Sequence, residues 1–189
     1  MIDWSGFWGF FTTGIPSVVL YPSMLVMTIA IIIGIAFKGI KNKRKYVLWV
    51  LLIEYLFVLV CSTVICRDEI TFEFDRLELT PFWTYIAVIN HTSGVRVWDI
   101  ILNVVLFVPF GLLIKLLYPS IKFWKMLLIG TCLSICIETS QYLLYRGAAQ
   151  IDDVIHNTLG AVLGWALAVV VNGVWSRVNS DSFSKAKSS

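Results

Sequence analysis

Charge is scarce in this chain. Lysine, arginine, aspartate and glutamate make up 14% of its 189 residues, where a soluble domain carries about 25%. Histidine occurs twice, as His91 and His156. The cysteines Cys61, Cys66, Cys132 and Cys136 all lie inside apolar runs without zinc-ligand spacing, which makes them small packing residues rather than a metal site. There is no G-x-S-x-G elbow, no zinc-protease helix and no glycine-rich phosphate loop, so the signatures of those enzyme classes are missing. No cofactor and no metal is expected. The first long apolar run has no basic stretch before it and continues to full spanning length, which argues against a cleavable signal peptide.

Apolar residues fill the space that charge leaves. They account for 58% of the chain, and the mean hydropathy is +0.82. The expected fold class is all-α, a polytopic transmembrane helical bundle in the range 17–175 with about five spans. About 20 apolar residues cross the hydrocarbon core, and the runs that meet this length are 17–37, 46–66, 99–118, 126–145 and 153–175. Residues 1–16, with Trp4, Phe7, Trp8, Phe10 and Phe11, read as an aromatic segment at headgroup level. A shorter apolar stretch at about 80–91 cannot cross, and is expected to be re-entrant or interfacial, starting after Pro81. From Ser176 the serine- and lysine-containing tail reads as disordered.

Basic residues orient the bundle. Lys38, Lys41, Lys43, Arg44 and Lys45 form a cluster that resembles a nucleic-acid patch. Its place between two spans instead makes it a cytoplasmic loop facing anionic lipid, so no nucleic-acid partner is expected. Lys122, Lys125, Arg177, Lys185 and Lys187 fall on the same side, with Lys115 near that boundary. Arg67, Arg76, Arg96 and Arg146 fall on the other. The positive-inside rule then puts the N-terminus outside and the C-terminus inside.

Against this background one stretch is conspicuous: ETSQYLLYRGAAQIDDVIHNTLGAVLG, from Glu138 to Gly164. Ionisable groups this close to lipid-soluble helices are costly, and a functional site is the default reading. Helical spacing puts Asp99 and Asn103 on one face of the third span. Glu138, Gln141 and Tyr145 share a face of the fourth, with Glu138 about 12 Å along the axis from Arg146. On the fifth, Asp153 and Asn157 share a face, as do Asp152 and His156. Asp99, Asn103, Glu138, Gln141, Arg146, Asp152, Asp153 and Asn157 are therefore the expected ligand-binding residues, with Arg146 suited to a phosphate or carboxylate. Glu138 and Asp153 are the candidates if the chain is an enzyme acting on a lipid-linked substrate. The same groups can instead satisfy one another and fix the helix register. Pro109 bends its span, either as a packing kink or as the hinge of a lipid transporter. Gly160 and Gly164 form a small-xxx-small edge for close helix approach. Glu54, buried in the second span, has no partner that spacing identifies.

The motifs as a set resemble the VanZ-like family of bacterial membrane proteins, over roughly residues 46–172. The matching positions are Pro81 and Phe82, then Asn103, Pro109, Phe110 and Gly111, then Glu138 and Gln141, then Arg146. The final motif falls on Asp152, Asp153, Asn157, Gly160 and Gly164. His156 departs from the pattern, which carries an apolar residue there. The resemblance implies a multi-pass protein of the bacterial cytoplasmic membrane, with the lipid bilayer and an amphiphilic or lipid-linked small molecule as partners. It also implies a link to low-level resistance to teicoplanin, a lipoglycopeptide, or a part in cell-envelope homeostasis.

Overall fold

A computed structural model describes residues 17–66, 77–90 and 97–188, with side chains for 19–66, 77–90 and 97–173. The aromatic segment 1–16, the acidic connection 67–76, His91 and Arg96 lie outside the described residues. Among the described residues six helices follow in order: α1 (Ser17–Ala36), α2 (Lys43–Val60), α3 (Trp83–Ile89), α4 (Val97–Leu117), α5 (Phe123–Leu143) and α6 (Ile151–Ser188). A π-turn, Cys61–Ile65, ends α2. Five of the helices are long and apolar enough to cross a membrane; α3 is the exception. Seven residues long, α3 extends only about 10 Å.

The observed helices begin two or three residues ahead of the apolar runs, at Val97, Phe123 and Ile151 rather than at 99, 126 and 153. Hydropathy marks where the chain meets hydrocarbon, whereas the backbone keeps its helical bonds out into the headgroup layer. Beyond Ser176 the chain stays helical to Ser188, where composition predicts a disordered tail. No proline or glycine between Val174 and Ser188 interrupts the ladder.

The centre of the bundle is the α4–α6 interface, the most extensive among the described residues. Lipid tails are as apolar as leucine, so helices in a membrane associate through close backbone packing rather than hydrophobic exclusion. Glycines make that approach possible. A Cβ on Gly160 would lie 2.1 Å from the Val104 carbonyl oxygen, and one on Gly164 1.9 Å from that of Val108. From the opposite side, a Cβ on Gly111 would meet the Ala161 carbonyl at 1.8 Å. The small-xxx-small edge expected on the fifth span is thus the contact that seats α4. Phe107, Phe110, Met126, Ile137 and Ala161 fill the core around it, with Leu52 and Leu59 from α2.

Pro109 sits inside α4 and deprives the Val105 carbonyl of its helical donor. Beside this break, the Tyr55 hydroxyl of α2 donates to the Leu106 carbonyl. A neighbouring helix therefore braces α4 where the proline removes a hydrogen bond. α1 stands apart: it packs on α2, with the Tyr46 hydroxyl donating to the Ala30 carbonyl at 2.9 Å, and most of its surface is exposed apolar side chain.

The two ends of the bundle differ. One gathers lysines and aromatic rings. Lys115 lies 5.2 Å from the Trp165 ring centre and donates to the Pro119 carbonyl, and the Trp165 indole N–H donates to the Ile121 carbonyl at 3.1 Å. Amphipathic rings and snorkelling lysines belong at a membrane boundary. The other end collects the acidic and amide side chains.

Candidate functional site

The polar end is built where α2 and α5 finish and α4 and α6 begin. α5 stops at Leu143, three residues before Arg146. Tyr145 adopts left-handed backbone, φ 58°, and the Arg146 N–H closes back onto the Gln141 carbonyl at 2.9 Å. This is a Schellman ending with tyrosine in the position that glycine usually fills. Arg146 therefore lies in a turn and not on a continuing helix, so the distance to Glu138 measured along a helix axis does not apply. Two short strands tie the turn down: β1 (Leu77–Glu78) pairs in parallel with β2 (Ala149–Gln150), in the register Leu77 to Ala149. Outside the spans, hydrogen bonds from the Thr80 side chain and then its backbone N–H hold the Glu78 carboxyl below its usual range.

Asp152, 2% exposed, has a clear task. Its two carboxylate oxygens accept the backbone N–H groups of Phe82, at 2.6 Å, and Thr84, at 2.8 Å. Phe82 is the N-cap of α3, in left-handed backbone with no side-chain cap of its own. The carboxylate supplies that cap from the first turn of α6, 68 residues away from Thr84. The Pro81–Phe82 element and the Asp-Asp pair are thus halves of one joint.

The neighbouring acid turns the other way. Asp153 accepts from the Asn103 side-chain amide at 2.6 Å, linking α6 to α4. Asp99 stands in the first turn of α4, where a negative charge complements the helix dipole. Glu138, buried at 6% exposure, accepts the Gln150 backbone N–H at 3.2 Å. Gln141 donates to the Thr63 carbonyl in the π-turn at 2.9 Å, and Asn157 donates to the Ser134 hydroxyl at 2.9 Å. His156 meets the Tyr85 hydroxyl through Nε2 at 2.9 Å, the two ring centres 5.5 Å apart and the ring planes inclined at 65°.

Of the eight expected binding residues, the structure joins Asn103 directly to Asp153. Glu138, Gln141, Asp152 and Asn157 each reach a different partner outside the set. Of those partners, Ser134, Thr63, Thr84 and Gln150 were not singled out from sequence, and neither was Tyr85, the partner of His156. A signal existed for Ser134: with Thr131, Glu138 and Gln141 it follows the three-four-three spacing of one helix face. Thr131 pairs with Thr158 at 3.1 Å, extending that stripe toward the bundle middle. Two buried polar atoms of adjacent residues, His156 Nδ1 and Asn157 Oδ1, have no hydrogen-bond partner among the described residues; in α2 the same holds for Glu54 Oε1. Among the described residues no three His, Cys, Asp or Glu side chains are grouped to hold a metal ion.

A family model, VanZ/LLP1, matches residues 45–172, which contain every residue of this site. The chain belongs to the VanZ/LLP1 family. The family region starts within α2, so α1 lies outside it. A relative, Protein VanZ of Enterococcus faecium, is 37% identical over 91 residues, 48% of this chain and 51% of that protein. The chain thus spans about half the length of the relative it matches. No solved structure matches. Family membership and five helices of spanning length and hydropathy make this VanZ-family chain a membrane protein.

Proposed function

We propose that this protein spans the bacterial cytoplasmic membrane and that its polar end faces outward to receive an amphiphilic envelope ligand. The ligand is a lipoglycopeptide such as teicoplanin or a lipid-linked cell-wall precursor, and the outcome is antibiotic tolerance or envelope homeostasis. The observation that carries this reading is the burial at one bundle end of Glu138, Gln141, Asp152, His156 and Asn157, with His156 Nδ1 and Asn157 Oδ1 unpartnered among the described residues. Buried polar groups at membrane depth are expensive, and pairs that only fixed the helix register would leave no such atoms over. Asp99, Asn103 and Asp153 extend the polar lining, and the Arg146 turn supplies the cation that an anionic headgroup or carboxylate requires. The basic residues at the opposite end support the outward orientation.

The test is teicoplanin tolerance and binding in cells carrying Arg146→Ala or Glu138→Ala at membrane abundance equal to the parent. Both substitutions are expected to lower tolerance and weaken binding. Unchanged values in both variants overturn the proposal. Lipid mass spectrometry of the same membranes separates binding from turnover: a modified lipid points instead to an enzyme with Glu138 and Asp153 as its acid–base pair.

A further inference from the structure

The π-turn that ends α2 places two cysteines together. In an α-helix, residues five apart diverge by roughly 140° around the axis. The wider turn at Cys61–Ile65 is closed by the Cys66 N–H donating to the Cys61 carbonyl at 2.8 Å, which stacks these two positions. Both are free cysteines. Cys61 is buried and Cys66 half-buried, so Cys66 is the more accessible residue of the pair. π-turns inside helices recur at functional sites because the extra residue re-aims side chains. Here it draws two cysteine positions together across one turn.

We propose that Cys61 and Cys66 are a redox-active dithiol that closes to a disulfide by exchange with an external disulfide, of the glutathione disulfide or thiol oxidoreductase class. The Cys66 thiolate attacks the external disulfide, whose S–S bond breaks; one external sulfur leaves as a thiol and the other stays bound to Cys66. The Cys61 thiolate then attacks the Cys66 sulfur, forming the Cys61–Cys66 bond and releasing the second external thiol. The protein pair gives up two electrons and two protons, and the external disulfide takes them up as two thiols. Closure has a consequence for the polar end. Thr63 lies inside the turn, and its carbonyl accepts the Gln141 side chain at 2.9 Å. Locking Cys61 to Cys66 stiffens the segment that presents this acceptor, so the oxidation state reaches the inner face of α5. The inference rests on the thiols and not on the identity of any ligand.

The experiment uses the full chain in native membranes, with Cys132→Ser and Cys136→Ser so that Cys61 and Cys66 are the remaining thiols. After treatment with glutathione disulfide, the protein is denatured in acid and labelled with maleimide-polyethylene glycol. Two mass tags are expected before oxidation, none after it, and both again after dithiothreitol. Adding Cys61→Ser is expected to leave Cys66 as a reducible glutathione adduct. Two tags retained after oxidation, or a glutathione adduct on Cys66 with Cys61 still taking a tag, overturns the proposal.

Discussion

Asp152 shows how one carboxylate can organise residues far away in sequence. A hydrogen bond contributes about 0.5–1.5 kcal/mol net, and Asp152 accepts two backbone N–H groups, one buried at Thr84 and one part-buried at Phe82. Asp152→Ala leaves those N–H groups unpaired at the start of α3. The expected result is faster amide exchange over Trp83–Ile89, while α4, α5 and α6 keep their protection. Equal exchange in variant and parent counts against the cap. From sequence, Asp152 and Asp153 lie on different helix faces but are both expected to bind ligand. The structure gives one to a helix cap and the other to Asn103, because adjacent helical residues point about 100° apart.

Among the elements, the α4–α6 interface depends on absent side chains. A Cβ at Gly160 meets backbone, which cannot rotate away as a flexible side chain can. Gly160→Ala is expected to destabilise by about 1–3 kcal/mol, the usual range for overpacking, read as a lower Tm in detergent. Gly173 is the control: a Cβ there has nothing within 4 Å, so Gly173→Ala is expected to leave Tm unchanged. Equal Tm losses at both positions would mean that close approach is not what the glycines supply. The small-residue edge was legible in the sequence because its spacing is a property of one helix. Tyr55 bracing α4 beside Pro109 was not, since the contact joins residues 51 positions apart.

At the scale of the molecule, the asymmetry of the two ends is the feature to test. Lysines and aromatic rings mark one end, the acidic and amide cluster the other. If the basic end is cytoplasmic, a single cysteine introduced at Lys41 is labelled by an impermeant maleimide only after the membrane is opened. One placed at Tyr145 is labelled in intact cells. The reverse pattern inverts the orientation and puts the polar end beyond reach of an external glycopeptide.

Lipid as a solvent acts on each segment separately, which is why the sequence by itself determined so much here: five spans, their approximate limits, the polar end and the glycine edge. These are local properties of hydropathy, charge and helical period. Only the tertiary structure decided which polar group meets which. Those pairings depend on how each helix is rotated about its axis and on three local departures from regular geometry: the π-turn at Cys61–Ile65, and the left-handed residues Phe82 and Tyr145. None of the three carries the glycine or asparagine that commonly announces such backbone in a sequence. Each is held by contacts from elsewhere in the bundle: Gln141 on the turn, Asp152 on the Phe82 backbone, and the paired strands beside Tyr145.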